Sequence, residues 1–135
     1  MEIAPGLVGE VEIVVQPADT ADAIGNQGIH VLSTPRLVDL LERAAINAVA
    51  PHLPPDGGTV GTRLDVRHLA ATPVGFRVRA RAVLTQVEGR RLVYAVEAHD
   101  DAEKVAEGTH DRFQITQARF LERVAEKAAR ARPST

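Results

Sequence analysis

The sequence predicts an α+β domain in which an antiparallel sheet packs against one central helix. One amphipathic helical segment follows a first strand-like segment and precedes four further strand-like segments. These four follow one another through short turns without an intervening helix, which favours antiparallel pairing. A second amphipathic segment predicts a helix at the C-terminal end. The length of 135 residues is that of one ordinary domain, so we expect residues 1–135 to form a single domain.

The first predicted elements are a strand and a long loop. The β-branched residues of GEVEIVVQ predict a strand from Gly9 to Gln16, which Pro17 ends. The segment from Ala18 to Leu32 contains Gly, Asp and Asn residues without a regular hydrophobic period, which indicates a loop. Loops of this length in compact domains are often functional, so we expect this one to gate a pocket. Its apolar candidates for this role are Ile24, Ile29 and Leu32.

The segment STPRLVDLLERAAINAVAP predicts the central helix. Ser33 or Thr34 can cap the helix, Pro35 suits its first turn, and the helix should end near Ala50, before Pro51. At 100° per residue the apolar face consists of Leu37, Leu41, Ala44, Ala45 and Ala48.

Glu42 lies at the border of this apolar face, between Ile46 and Val49 on the helical wheel. A carboxylate against apolar neighbours is costly unless it is paired, hydrogen-bonded or used in chemistry. The rest of the chain must therefore provide a partner for Glu42.

Four strands are predicted after the turn-rich connector from His52 to Gly58. In the first, strict alternation places Val60, Leu64, Val66 and His68 on one face and Gly61 on the other. The next two form a hairpin around Gly89, and the last strand precedes the C-terminal helix. The predicted bounds are Phe76–Val87, Arg91–Asp100 and Lys104–Ile115 for these strands and Gln117–Arg130 for the helix.

The composition excludes several classes of function. The 16 basic and 18 acidic residues give a net charge of −2, which argues against nucleic acid as a partner. The chain has no Cys, so cysteine nucleophiles, disulfides and cysteine zinc sites are excluded, and a reducing cytoplasm is the expected location. The first residues do not form a signal peptide, and no apolar run is long enough to span a membrane.

Three side chains are candidates for catalysis: Thr34, Glu42 and His68. The helix and the covered strand face should direct the carboxylate and the imidazole toward the same contact. A hydroxyl, a carboxylate and an imidazole in a partly dry site can activate a nucleophile or a water against an acyl carbon. Taken singly, Thr34 has the alternative of a helix cap, His68 of a core histidine and Glu42 of a snorkelling side chain. The histidines lack the close spacing of a metal site, so we expect no metal.

Two further features concern ligand binding. Gly61 has no side chain to hold a ligand away, so its amide can serve as an oxyanion donor, with tight packing as the alternative. Alternating arginines can form a stripe for the phosphates of a carrier such as coenzyme A, although a plain solvated sheet face is the simpler explanation. They are Arg63, Arg67, Arg77, Arg79 and Arg81.

Several segments resemble the fluoroacetyl-CoA thioesterase group of hot-dog-fold proteins. They are STPRLVDLLERAAINAVAPHL, VGTRLDVRHLAATPVG, VEGRRLVYAVEAHD and EGTHDR, and the resemblance covers nearly the whole chain. The group has a Thr at the helix start, a Glu eight residues later and a His a further 26 residues on. Thr34, Glu42 and His68 keep both intervals, and the group's carbonyl-contacting glycine falls on Gly61.

The resemblance implies a hot-dog homodimer that hydrolyses acyl-CoA at the subunit interface, with no cofactor apart from the coenzyme A of the substrate. The fluoroacetate-specific member uses lid aromatics, whereas the loop here has no Phe, Tyr or Trp. We therefore expect a small or medium aliphatic acyl group. The alternatives are a non-catalytic acyl-CoA binding module and a hydratase or dehydratase of the same fold. The sequence is compatible with attack on the acyl carbon by Thr34, by Glu42 or by a water.

Overall fold

The structure, a computed structural model, describes residues 2–131. Its elements in chain order are β1 (Val8–Val14), α1 (Thr34–Val49), β2 (Gly57–His68), β3 (Arg77–Glu88), β4 (Arg91–Asp100), β5 (Lys104–Thr116) and α2 (Gln117–Ala131). Short 3₁₀ turns occupy Pro17–Asp19, Asp22–Ile24 and Ala50–His52. All strand pairs are antiparallel, and the sheet order is β1-β3-β4-β5-β2. The predicted arrangement of five strands, a central helix and a C-terminal helix is confirmed.

The core lies between α1 and the inner face of the sheet. Buried side chains of α1, including Leu37, Leu40 and Leu41, form one core with buried residues of β3 and β4 such as Val78 and Leu92. Burying these branched side chains gives about 1.5–3 kcal/mol each, and this term outweighs the helix's own propensity. Glu42 lies beside this apolar face with 35% of its side chain exposed, as the border position predicted.

A β-bulge in β2 overturns one prediction about the strand. The pairing with β5 shifts between Gly61 and Arg63: these residues pair with the adjacent Arg112 and Asp111, so β2 has one extra residue at this point. Because side chains alternate, this insertion exchanges the faces on its two sides. Gly61 therefore shares the inner face with His68, whereas Val60 pairs with Phe113 on the outer face. Strict alternation predicted the reverse for Gly61 and Val60.

The loop before α1 is more ordered than its composition indicated. It contains two of the 3₁₀ turns, and isolated bridges join Thr20 to Leu32 and Val31 to Pro73. Leu32 is 1% exposed and belongs to the hydrophobic core, whereas Ile24 and Ile29 are 59% and 45% exposed. The loop thus presents two of its three candidate apolar residues to solvent.

The C-terminal helix α2 follows β5 without a break. Its apolar residues Leu121 and Val124 are exposed. No helix within residues 2–131 is both long and apolar enough to cross a membrane.

Candidate active site

Thr34 and His68 form a hydroxyl–imidazole pair between the start of α1 and the end of β2. Ser33 is the helix cap, since its hydroxyl accepts a hydrogen bond from the Arg36 amide at 3.1 Å. Thr34 is the first helical residue, so its hydroxyl is free of capping and lies 2.8 Å from His68 Nδ1. The alternative of Thr34 as the cap is therefore wrong.

Burial sets the charge state of His68. The imidazole is half-buried, and desolvation lowers the pKa of His68 below its ordinary value, with the Ala70 backbone opposing part of the shift. His68 is therefore neutral at pH 7. A neutral imidazole can accept the Thr34 hydroxyl proton at Nδ1, which is the arrangement of a nucleophile and its base.

The partner of Glu42 is Arg112. Glu42 Oε2 accepts a hydrogen bond from Arg112 Nη1 at 2.9 Å, and Arg112 is 4% exposed. The other guanidinium nitrogens bind Thr59, with Nε donating to its hydroxyl and Nη2 to its carbonyl, both at 2.9 Å. Sequence reasoning expected His68 to be the partner. Within residues 2–131, Glu42 forms no hydrogen bond or ion pair with His68, so that expectation is wrong for one protomer.

Gly61 lies directly against this ion pair. A Cβ built at Gly61 would come 2.5 Å from Glu42 Oε2 and 3.2 Å from Arg112 Nη1. The absence of a side chain thus lets the carboxylate approach the β2 backbone. Both ideas about Gly61, close packing and access to the backbone amide, are compatible with this contact.

One protomer therefore contains two separate clusters. The first consists of Thr34 and His68, and the second of Glu42, Arg112 and Gly61. Eight residues of α1 separate Thr34 from Glu42, which corresponds to about 12 Å along the helix axis. Seven residues of β2 separate Gly61 from His68, or about 20 Å of strand. Proton transfer needs about 3 Å, so the clusters do not act together within one chain.

Sequence reasoning missed Arg112 and His110. Both lie on the inner face of β5, and His110 is fully buried with its ring stacked on that of Tyr94 at a centroid distance of 6.0 Å. The alternation of EGTHDRFQI carried a signal. With Asp111 and Phe113 on the outer face, period 2 directs His110 and Arg112 inward together, where a buried guanidinium requires a carboxylate.

Known proteins are similar to this chain in sequence and in fold. The profile of the FlK family, described as fluoroacetyl-CoA-specific thioesterase, matches residues 15–118. A fluoroacetyl-CoA thioesterase from Streptantibioticus cattleyicolor is 43% identical over 98 residues, which are 73% of this chain and 70% of that protein. The chain belongs to the fluoroacetyl-CoA-specific thioesterase family.

Solved structures extend this relationship to the fold. A variant of the fluoroacetyl-CoA thioesterase FlK in complex with acetyl-CoA has a TM-score of 0.87 at 35% identity, covering 93% of this chain and 98% of that one. A hot-dog-like protein from Thermanaerovibrio acidaminovorans has a TM-score of 0.83 at 25% identity, covering 91% of each chain. The resemblance seen in the sequence, the hot-dog fold and the assignment to thioester hydrolases are thereby confirmed.

The arginines of the predicted stripe lie on the outer face of the sheet, and most of them form ion pairs with carboxylates. Arg79 pairs with Glu12 at 2.9 Å, and Arg77 pairs with Asp101 at 3.3 Å. Further pairs join Arg63 to Asp65 at 3.3 Å and Arg81 to Glu10 at 3.9 Å. The interpretation as a solvated, ion-paired sheet face therefore accounts for most of the stripe.

The histidines and carboxylates within residues 2–131 do not cluster as metal ligands do. Among the residues that the structure describes, no group of three or more His, Asp or Glu side chains could hold a metal ion. The polar side chains of the two clusters are instead paired with one another, Thr34 with His68 and Glu42 with Arg112.

Proposed function

We propose that this family member hydrolyses the thioester of a small or medium acyl-CoA to the free acid and coenzyme A. The observation that carries this proposal is the 2.8 Å contact between the Thr34 hydroxyl and Nδ1 of His68. Coenzyme A as the carrier is supported by the relatives, one of which is a fluoroacetyl-CoA thioesterase and another of which has been solved with acetyl-CoA. No cofactor beyond the substrate's own coenzyme A enters the proposal.

Thr34 and His68 perform the first step in this mechanism. The Thr34 oxygen attacks the thioester carbonyl carbon while its proton passes to Nδ1 of neutral His68. The carbon–sulfur bond then breaks, the proton passes to the leaving thiolate, and the acyl group stays on Thr34 as an ester. The Gly61 amide is the proposed donor to the oxyanion that forms at the carbonyl oxygen.

Glu42 performs the second step. A water attacks the ester carbonyl carbon while its proton passes to the Glu42 carboxylate. The bond between that carbon and the Thr34 oxygen then breaks, Glu42 returns the proton to the Thr34 oxygen, and the free acid leaves. Arg112 fixes the position of the carboxylate by a hydrogen bond, and its guanidinium is itself held by hydrogen bonds to Thr59. Because Arg112 compensates its charge, the carboxylate can lie beside the apolar face of α1 at reduced cost.

The two steps require two copies of the chain. β2 forms one edge of the sheet and is 12 residues long, so a second β2 can pair with it in antiparallel orientation around a two-fold axis. An axis near Asp65, the middle ladder position between Gly61 and His68 when the bulge residue is left out, would place His68 of each copy opposite Gly61 of the other. Leu64 is on the inner face and 40% exposed, which is the apolar exposure that such an interface would cover. We propose a homodimer whose sites each combine Thr34 and His68 of one copy with Glu42 of the other.

The chemical type of the acyl group is proposed from the loop between β1 and α1. Ile24 and Ile29 are exposed apolar residues of the segment that we propose as the cover of the acyl pocket, and neither is aromatic. Aliphatic side chains favour an aliphatic acyl group through unspecific apolar contact. We propose the cytoplasm as the location, in keeping with a chain that lacks Cys.

Thiol release from a panel of acyl-CoA thioesters tests the proposal. We expect turnover of at least one short aliphatic acyl-CoA, a large loss in Thr34→Ala and His68→Ala, and partial retention in Thr34→Ser, which keeps the hydroxyl. Stoichiometric binding of acyl-CoA without thiol release would identify a binding module instead. Hydration of enoyl-CoA without thiol release would identify a hydratase.

A further inference from the structure

His110 is a buried titratable residue that the proposed mechanism does not use. Its side chain is fully buried on the inner face of β5. Both ring nitrogens are engaged, since Nδ1 lies 2.8 Å from the Arg63 carbonyl oxygen and Nε2 lies 3.2 Å from Arg112 Nη1. The ring thus joins the β2 backbone, at the bulge, to the guanidinium that holds Glu42.

These two contacts define the tautomer of His110. A carbonyl oxygen only accepts hydrogen bonds, so Nδ1 must carry the proton. An arginine nitrogen only donates, so Nε2 must be the bare nitrogen that accepts. Burial, the largest cause, and the neighbouring Arg112 cation lower the pKa of His110, whereas the Arg63 carbonyl and the carboxylates of Glu42 and Asp111 oppose the shift. The ring is therefore neutral with its acceptor directed at Arg112.

Nη1 of Arg112 consequently serves two acceptors. It donates to Glu42 Oε2 at 2.9 Å and to His110 Nε2 at 3.2 Å, while the remaining nitrogens of the group are held by Thr59. His110 Nε2 itself lies 3.9 Å from Glu42 Oε2. Because a guanidinium is planar and rigid, fixing Nη1 between the two acceptors also fixes the direction from which it reaches the carboxylate.

We infer that His110 is a positioning residue for hydrolysis, which acts through Nε2 by holding Arg112 in the orientation that directs the Glu42 carboxylate. The inference rests on the proposed role of Glu42. The ring's two nitrogens have different roles: Nδ1 donates to the Arg63 carbonyl oxygen at the β2 bulge, and Nε2 accepts from Arg112 and orients it. An apolar ring would fill the same core space beside Tyr94, so packing alone does not account for an acceptor opposite a cation.

The variants His110→Asn and His110→Gln separate these two roles. Asn at this position can place its NH₂ group where Nδ1 lies and keep the bond to the Arg63 carbonyl, but it does not reach Arg112. Gln can place its amide oxygen where Nε2 lies and accept from Arg112, but it loses the bond to the carbonyl. We expect His110→Asn to lower kcat by about 10-fold to 100-fold with little change in KM, the scale of a misplaced reacting group. We expect His110→Gln to lower the melting temperature but keep kcat per folded molecule within about 3-fold of the parent.

Glu42→Gln provides the reference that separates this inference from the proposed function. If His110 acts through Glu42, adding His110→Asn to Glu42→Gln should cause little further loss in kcat. Equal losses of kcat in His110→Asn and His110→Gln would make the role structural and overturn the inference. A low kcat in Glu42→Gln with an unchanged kcat in His110→Asn would overturn the inference alone. An unchanged kcat in Glu42→Gln would overturn both.

A measurement on the unmodified protein keeps the inference testable even if a variant fails to fold. Two-bond ¹H–¹⁵N correlation spectra distinguish the nitrogens of each imidazole. We expect His110 to show a protonated Nδ1 and a bare Nε2 at pH 7. A protonated Nε2 could not accept from Arg112, and finding it would overturn the inference.

Discussion

The guanidinium of Arg112 and the carboxylate of Glu42 form an ion pair, with 2.9 Å between Nη1 and Oε2, that joins β5 to α1. The two partners differ in environment, since Arg112 is 4% exposed and the Glu42 side chain 35% exposed. The pair is therefore asymmetric in its energetics. Removing the arginine leaves a carboxylate that water can partly solvate, whereas removing the carboxylate leaves a buried cation without its counter-charge.

Glu42→Gln should therefore cost both activity and stability. Gln keeps an oxygen that can accept from Arg112 Nη1 but provides no charge, so we expect the free energy of unfolding to fall by about 1–3 kcal/mol. We expect kcat to fall by about 100-fold or more, the scale for losing a positioned acid–base group. Urea denaturation and thiol-release kinetics on the same preparation measure both effects. Glu10→Gln, on the exposed outer face, is the matched control and should change neither.

Mixing two inactive variants tests the division of the site between copies. Thr34→Ala and Glu42→Gln homodimers should each be nearly inactive. In a mixed dimer, one of the two sites would combine an intact Thr34 and His68 with an intact Glu42. Random exchange of equal amounts should thus restore about a quarter of the parent activity, because half of the dimers are mixed and each has one complete site. Activity that stays at the level of the separate variants would show that both clusters act within one chain.

The sequence predicted the positions of the strands and helices along the chain better than it predicted which side chains lie on which face of the sheet. Periodicity and turn residues located every strand and helix to within a few residues, because hydrophobic alternation is a local property of the chain. The face of Gly61 was wrong because the bulge after it exchanges the two sides of β2, and a bulge depends on pairing with β5. Of the three side chains expected to converge on one site, Thr34 and His68 lie in contact within one chain. The partner of Glu42 was not, since Arg112 is 70 residues away in the chain and only the sheet register brings it under α1.

Buried His110 and half-buried His68 predict a pH dependence of stability. Burial is the largest cause that lowers the pKa of both His68 and His110 from the ordinary value of 6.5. The unfolded chain therefore binds protons at a higher pH than the folded chain does. The stability contribution is fully present above pH 6.5 and is lost as the pH falls from there through the folded-state pKa values.

Denaturation at pH 7.5 and pH 5.5 measures this effect. The pKa values of Asp100 and Glu107 are also lowered, but from ordinary values of 3.8 and 4.5, so their contribution is lost in a more acidic range. We expect lower stability at pH 5.5 and a smaller difference in His110→Gln, which removes one of the two groups. Equal stability at the two pH values would contradict the lowered pKa values.

Two of the loop's apolar residues should determine acyl-chain specificity, and the third should contribute to stability. Ile24→Ala and Ile29→Ala remove exposed apolar side chains, so we expect the ratio of kcat/KM between short and longer acyl chains to change by several-fold, about 1 kcal/mol, with little loss in melting temperature. Leu32→Ala is the matched control from the core, and it should lower stability by about 2–4 kcal/mol. Identical acyl preferences in all three variants would leave the loop as a connector.

Gly61→Ala tests the close approach of the carboxylate to β2. The new Cβ would come 2.5 Å from Glu42 Oε2, the mobile end of a side chain, while Arg112 Nη1 and His110 Cε1 would lie at 3.2 and 3.3 Å. The carboxylate can move away at little cost, and Gly61 is not among the glycines with positive φ, so alanine is compatible with the backbone. The fold should therefore tolerate the change while Glu42 loses its position.

We expect Gly61→Ala to lower kcat by about 10-fold to 100-fold with a melting temperature close to that of the parent. Gly58→Ala is the control on the same strand, because its Cβ would meet side chains only at ordinary contact distances of 3.7–3.9 Å. That variant should keep both stability and kcat. A Gly61→Ala protein with the parent's kcat would show that the carboxylate works from another position, and the assignment of Glu42 to the hydrolytic step would then fail.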